Sequence, residues 1–245
     1  MTKRRIDLLL VERGLAESQA MAQALVMAGK VTADGKAVGK PGMPIAEDAE
    51  LALAAPPPFV GRGGIKLEYA LEQFKLDVSG KVAADIGAST GGFTDCLLKR
   101  GDGRVYAIDV GKGQLDWRLR KDPRVVVMEG VNARFRLNLP EKVDLATIDV
   151  SFISVEKVIP SVAESVKEGG HLVVLIKPQF EALRREVGRR GIVSDPAVHA
   201  RVLGRFINWM TAKGFRLGGL VSSPIPGASG NREFFVLLRV GGGDF

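Results

Sequence analysis

The chain has 245 residues, 46% of them apolar, and a formal net charge of +7, which suits a globular protein of one large and one small domain facing a polyanion. A single cysteine, Cys96, excludes an internal disulfide framework, and two histidines, His171 and His199, do not suffice for a metal site, so no metal is expected. No stretch approaches the roughly 18 uncharged apolar residues that span a bilayer, and residues 1–10 lack the apolar core and cleavage site of a secretion signal. These features predict a cytoplasmic protein without membrane contact.

Arg5 to Gly14 reads as a short helix with Ile6, Leu9 and Leu10 on one side, and Ser18 caps a second helix, Gln19 to Ala28, ended by Gly29. Val31–Ala33, a turn at Asp34-Gly35, Ala37-Val38, Lys40-Pro41-Gly42 and Glu50–Leu53 read as short strands with tight turns. Two small helices and a β-turn-β unit make a compact α+β module over residues 1–55. Its stretches R-I-D-L-L-L-V-E-R-G-L-A-E-S, A-x-x-L-V-x-x-G-K-V and D-G-K-x-V-x-K-P-G resemble the αL, or S-four-type, RNA-binding domain of a small-subunit ribosomal protein and many RNA-modifying enzymes. Arg4, Arg5 and Lys30 are its candidate RNA contacts. The match departs at Gln19, where such domains commonly carry a phosphate-binding arginine, and residues 1–60 hold seven basic against seven acidic side chains.

Pro56-Pro57-Pro58 stiffens the chain into an extended linker, assigned to residues 56–62, and residues 63–245 form the larger domain. A helix through Phe74 follows, with Leu67, Ala70, Leu71 and Phe74 at helical spacing. Arg62 at its start is a candidate RNA contact. Lys66 falls in its first turn, an unfavourable end for a cation unless the side chain reaches into a neighbouring site.

Val82 to Thr94 then organises the domain: an apolar strand ends in Asp85, a glycine-rich turn follows, and Phe93–Leu98 opens an amphipathic helix. The pattern D-x-G-x-x-x-G-G lacks both the phosphate-loop lysine and the dinucleotide fingerprint, which predicts a nucleotide-like ligand without a pyrophosphate. It resembles the first motif of S-adenosylmethionine-dependent methyltransferases, and Asp85, Gly87, Ala88, Ser89, Gly91, Gly92 and Phe93 are assigned to the cofactor. The next strand, Val105–Ile108, ends in Asp109, whose carboxylate can accept hydrogen bonds from both hydroxyls of a ribose. Arg124–Met128 ends in Glu129, with Asn132 shortly after, where an adenine ring would be recognised.

Two further strands, Val143–Ile148 and His171–Ile176, end in D-V-S-F-I-S and K-P-Q-F-E, delivering Asp149 and Lys177 at their carboxyl ends. A helix over Pro196–Lys213 precedes two final strands, Phe215–Ser223 and Arg232–Leu238, which have no helix between them and so pair as an antiparallel edge hairpin. The expected fold is α/β, a doubly wound Rossmann-like methyltransferase sheet with that hairpin. The charge surplus lies beyond residue 60, and Lys177–Arg205 carries seven basic against three acidic residues. Arg184, Arg185, Arg189 and Arg190 are therefore expected to meet RNA phosphates.

The fourth strand lacks the Asn/Asp-Pro-Pro-aromatic signature of exocyclic-amine methylation, and Cys96, the one candidate for carbon methylation, sits on a helix expected to pack against the sheet. A ribose hydroxyl remains, and its high pKa demands a base. A lysine serves if a second lysine lowers its pKa while carboxylates hold it in place. Lys66, Asp149, Lys177 and Glu233 supply that set.

The stretches G-R-G-G-I-K-L-E, D-I-G-A-S-T-G-G-F-T-D, D-V-S-F-I-S, K-P-Q-F-E, V-G-R-R-G-I-V and G-N-R-E-F resemble the TlyA, or haemolysin A, family of ribosomal RNA 2′-O-methyltransferases, whose catalytic domain is of the FtsJ type. The resemblance runs from residue 4 to 239 and departs at Gly61, where the family usually has serine. It implies a catalytic tetrad carried by Lys66, Asp149, Lys177 and Glu233, with Lys177 as activating base and the other three orienting it and the ribose. It also implies S-adenosyl-L-methionine as cofactor and cytidine ribose in small- or large-subunit ribosomal RNA as target. The competing readings are a catalytically silent RNA-binding protein of the same fold and, from the family's other name, a haemolysin.

Overall fold

A computed structural model describes the chain except for Met1, Pro56, Asp102 and residues 242–245. Its contacts divide it into two compact units, Met1–Pro57 and Pro58–Phe245. The first proline of the expected linker, Pro56, lies outside the described residues, and the last linker residue, Arg62, already begins a helix.

The first unit runs β1 (Lys3–Arg5), α1 (Ile6–Glu12), α2 (Gln19–Met27), β2 (Val31–Ala33), β3 (Lys36–Ala37), β4 (Pro44–Ala46) and β5 (Leu51–Leu53). The Ser18 hydroxyl accepts the Met21 N–H at 3.2 Å and so caps α2. Asp34 and Gly35 both take left-handed backbone angles, φ 48° and 73°, which a two-residue hairpin turn between β2 and β3 requires. The antiparallel sheet β3-β2-β5 packs Val31 against Ile6, Leu10, Ala22 and Val26 of the helices.

One local expectation fails here, and one strand pair was not anticipated. Lys40-Pro41-Gly42 is a turn, with the Met43 N–H bonded to Lys40 O, and the Pro41 and Met43 carbonyls accept the N–H groups of Asp7 and Ile6. The segment thus serves donors that the start of α1 leaves without intrahelical partners. Its neighbour β4 pairs antiparallel with β1; Lys-Arg-Arg has no apolar alternation to announce a strand.

Asp7 is fully buried, and its carboxylate accepts hydrogen bonds from Arg5 at 3.0 and 2.7 Å, Gln19 at 3.1 Å and Gln23 at 2.9 Å. The Arg5 guanidinium holds it well below the usual carboxylate range. Gln19 is therefore turned to an interior acid, Arg5 is engaged by the same group, and Arg4 pairs with Glu12 at 2.7 Å. Lys30 is half-buried.

The second unit runs α3 (Arg62–Gln73), β6 (Val82–Ile86), α4 (Gly92–Lys99), β7 (Arg104–Asp109), α5 (Trp117–Lys121), β8 (Val125–Glu129), β9 (Val143–Ile148), α6 (Ile159–Ala163), β10 (Val166–Ile176), α7 (Pro178–Glu181), α8 (Pro196–Ala212), β11 (Arg216–Ser222) and β12 (Phe234–Arg239). They build a seven-stranded sheet in the order β11-β12-β10-β9-β6-β7-β8. The five strands from β10 to β8 are parallel, while β12 runs antiparallel between β10 and β11.

The sheet is buried on both faces by period-two alternation. Leu172, Val174 and Ile176 of β10 join one core with α6 and α8, and Val173 and Leu175 join the other with α3 and α4. Strand β10 begins earlier than the apolar run suggested, at Val166, and its register with β9 slips before His171. Connections leave β6 toward β7 on one side, whereas β9 lies on the other, so the order reverses between β6 and β9. A crevice opens there at the strands' carboxyl ends, the position where open parallel sheets bind ligands.

Candidate active site

The loop after β6 lines that crevice. Gly87 and Gly91 take φ 84° and 97°, and Ser89 takes φ 48° between them. A Cβ on Gly87 would stand 2.3 Å from the Asp149 carbonyl oxygen, so only glycine lets the β6 loop pass the end of β9. The loop is fastened from β7, where the Ile108 carbonyl accepts the N–H groups of Gly87 and Ala88.

A cavity of about 460 Å³ lies here, walled by Ile86, Ile108, Val131 and Val150, with Asp109, Gln114, Asn132 and Asp149 as polar groups. Beside it, a smaller cavity of about 160 Å³ is lined by Gly63, Gly87, Ala88, Ser89, Gly92, Phe93 and Asp149. Asp109 accepts the Ser89 N–H on one oxygen and the Gly111 N–H on the other, both at 2.7 Å, which fixes the plane of its carboxylate. The two linings hold two carboxylates, Asp109 and Asp149, and one cation, Arg134. That donor set suits a ribose and a positively charged group better than a polyphosphate.

Three of the residues assigned to a cofactor do not line either cavity. Asp85 is fully buried, with the Thr94 hydroxyl donating to one oxygen at 2.7 Å and the Thr147 hydroxyl to the other at 3.0 Å. It ties β6 to α4 and β9, and burial pushes its carboxyl up to about 6. Gly91 packs on α5, where a Cβ would lie 2.2 Å from Leu119 Cδ1. Glu129 accepts the Gly113 N–H at 2.9 Å and pairs with Arg120, contacts that lower its pKa. Conversely, Gln114, Val131, Arg134 and Val150 line the cavity without having been singled out. The G-K-G-Q turn after Asp109 was the one sequence signal for Gln114, whose side chain receives a hydrogen bond from the Ser89 hydroxyl at 3.3 Å.

Strand register assembles the charged groups. Val174 of β10 pairs with Ile148 of β9, and Ile176 of β10 with Phe234 of β12, so Asp149, Lys177 and Glu233 leave three adjacent strands on one rim. Lys177 Nζ lies 2.5 Å from Asp149 Oδ1 and donates to the Ser151 hydroxyl at 3.0 Å. Lys66, one turn into α3, is buried with its Nζ 2.5 Å from Glu233 Oε2. The two lysines are thus matched each to its own carboxylate, rather than Lys66 serving as the direct partner of Lys177.

Beyond Lys177 an open concavity of about 1010 Å³ is lined by Arg134, Phe152, Ile153, Ser154, Lys157, Phe180 and Arg184. Phe152 is 92% exposed in a left-handed conformation, φ 64°, with its ring 5.1 Å from that of Phe180. Buried Glu181 floors this surface, accepting the Ser154 hydroxyl and the Val155 N–H, each at 2.8 Å.

The basic run resolves into two groups. Arg201 pairs with Glu186, and Arg205 with Glu156 and Glu181, so both hold the fold. Arg184, Arg185, Arg189 and Arg190 are exposed, with Arg190 left-handed at φ 65°. Their turn is clamped by buried Asn231, which accepts the Val193 N–H and donates to Gly191 O, both at 2.9 Å. Arg62 donates to the Pro226 carbonyl at 2.7 Å. Cys96 is buried and bonded to Glu68, with burial pushing its thiol up, so no nucleophile stands at the cavity from that side. Among the described residues there is no cluster of metal-ligating side chains, and no helix is long and apolar enough to cross a membrane.

Residues 59–240 match the FtsJ-like methyltransferase family and residues 4–51 the S4 domain. The chain is 48% identical to the "Putative rRNA methyltransferase YqxC" of Bacillus subtilis, covering 97% of this chain and 86% of that protein. It is 44% identical to the 16S/23S rRNA (cytidine-2′-O)-methyltransferase TlyA of Mycobacterium tuberculosis, covering 96% and 89% respectively. Among solved structures it superimposes on "Putative hemolysin from Streptococcus thermophilus" with a TM-score of 0.75 and 43% identity, over 98% of this chain and 90% of that one.

Proposed function

This chain belongs to the FtsJ-like methyltransferase family and carries an S4 domain ahead of it, and from that premise we propose that it methylates ribosomal RNA on a cytidine ribose 2′-hydroxyl in the small subunit, the large subunit or both. The observation that carries the reading is the Lys177–Asp149 pair at the mouth of the β6/β9 cavity. In this reading the S4 domain over residues 1–55 and the exposed arginines Arg184, Arg185, Arg189 and Arg190 engage RNA in the cytoplasm, and residues 63–245 perform the transfer.

The cavity suits S-adenosylmethionine: Asp109 would hold its ribose hydroxyls, Asn132 and the apolar walls its adenine, and the Gly87–Gly92 loop its amino-acid end. When bound, S-adenosylmethionine supplies an electrophilic methyl carbon on a sulfonium. In its neutral form, Lys177 Nζ would hold the 2′-hydroxyl of the target and accept its proton as that oxygen takes the methyl group, the sulfonium's S–CH3 bond breaking and the thioether product leaving. Asp149, 2.5 Å away, stabilises the ammonium that results. Lys66 and Glu233 fix the neighbouring rim and, through it, the ribose.

The test is transfer of labelled methyl from S-adenosylmethionine to purified small and large subunits by the wild type and Lys177→Ala, followed by mapping of alkali-resistant linkages. Label on a cytidine ribose, lost in the variant, is the expected result. Label on a base, or none on either subunit by a protein that binds the cofactor, overturns the reading.

A further inference from the structure

Resting on the reading above, we propose that Phe135, held between Arg134 and Arg136, is a stacking subsite for an unpaired base of the substrate RNA strand close to the methylated nucleotide.

The segment after β8 is built to present these three side chains outward. Asn132 makes a tight turn in which its carbonyl accepts the Phe135 N–H and its side chain the Arg134 N–H, both at 3.0 Å. Ala133 and Leu137, on either side of the tripeptide, are buried in the core. Anchored at both ends, the turn leaves Arg134, Phe135 and Arg136 exposed, with Phe135 at 63%. A lone exposed apolar side chain needs no special account; this one stands out by its neighbours.

Arg134 lines both the β6/β9 cavity and the concavity that holds Phe152 and Phe180, and Phe135 is the next residue in the chain, exposed beside it. From Gly130 to Pro140 the chain has two arginines and no acid. The acids that flank this stretch are occupied, Glu129 by Arg120 and Glu141 by Arg104 and Tyr106. Among the described residues neither Arg134 nor Arg136 has an ion-pair partner. An exposed aromatic ring with an exposed, unpaired arginine before and after it in the chain matches a single strand, whose phosphates meet the arginines while a splayed base covers the ring. A duplex offers no base face to it.

The experiment compares wild type with Phe135→Leu, which keeps an apolar side chain but removes the π face, and with Phe135→Tyr, which restores it. Binding is measured by filter retention on protein-free ribosomal RNA and on intact subunits, and transfer by KM for RNA and kcat. Phe135→Leu is expected to weaken RNA binding and raise KM roughly five- to a hundred-fold, with kcat at saturating RNA and affinity for S-adenosylmethionine unchanged and Phe135→Tyr near wild type. Equal RNA affinity in Phe135→Leu and wild type, or a Tyr variant as weak as the Leu variant, overturns the proposal. So does weakened binding to intact subunits with unchanged binding to protein-free RNA, which assigns Phe135 to a protein contact. Wild-type protein that binds RNA without methylating it fails the functional reading alone, and the comparison of binding still decides the role of Phe135.

Discussion

Lys66 Nζ and Glu233 Oε2 stand 2.5 Å apart with both side chains less than a tenth exposed, joining the first helix of the catalytic unit to its last strand. Removing either partner leaves a charge buried without its counter-ion, which costs about 3–5 kcal/mol. Lys66→Ala and Glu233→Ala are each expected to unfold well below wild type in guanidinium titrations. The double variant Lys66→Met/Glu233→Met should recover most of the loss while remaining inactive. Single variants as stable as wild type would show that the pair does not brace the fold.

Lys177 is different, because its neighbours lie at an open rim. Lys177→Ala should abolish transfer while calorimetric affinity for S-adenosylmethionine stays within about three-fold of wild type, since Asp109, Asn132 and the glycine loop are untouched. A parallel loss of cofactor affinity would place the lysine among the binding residues instead.

Gly87→Ala should damage the cofactor site directly. Its Cβ would meet the Asp149 carbonyl at 2.3 Å in a backbone conformation of φ 84°, a strain of about 1–3 kcal/mol. Cofactor affinity should fall at least ten-fold, read by calorimetry, with a lowered melting temperature. Unaltered affinity would mean that the loop can retreat without consequence.

Asp85 predicts a pH dependence of stability. Its carboxyl is raised by burial from 3.8 to about 6 in the folded protein, so the protonated form is favoured by folding. The group's contribution is fully present below pH 4 and is lost as pH rises through 6, on the order of 3 kcal/mol for a two-unit shift. Asp85→Asn cannot ionise, so its melting temperature relative to wild type should climb between pH 4 and 7. A difference independent of pH would refute the raised value.

Asn231 tests whether the arginine turn must be rigid. Asn231→Ala strands the buried Val193 N–H, at about 1–3 kcal/mol, and releases the exposed Gly191 carbonyl from its tether. Amide exchange should accelerate over residues 188–193, and KM for RNA should rise more than kcat falls. Protection unchanged from wild type would locate the clamp elsewhere.

Much of this architecture was legible in the chain. The central strands of the large sheet announced themselves by apolar runs ending in a charged or turn residue, because strands buried on both faces leave no room for polar alternation. The rim groups Asp149 and Lys177 were readable for the same reason, as the first charges after buried strands. The side chains around Asp85 and Glu129 were not, since a carboxylate at a strand end looks alike whether it lines a cavity, as Asp109 does, or takes two threonine hydroxyls or an arginine. Register hid the rest. Gln114 and Arg134 reach the cavity from turns whose path depends on tertiary contacts, and β1 pairs with β4 through backbone groups that carry no residue code.

Strand β12 lies between β10 and β11, not outside them, and this has a consequence for synthesis. As the chain leaves the ribosome, β11 emerges before the strand that must sit between it and the rest of the sheet, so β11 cannot dock until β12 arrives. Until residue 233 is made, Lys66 has no counter-ion, and the exposed flank of β10 is a free sheet edge. The nascent domain therefore acquires its crevice, at β6 and β9, before it acquires the complete set of charged rim groups, and a chain truncated ahead of Glu233 would carry the first without the second.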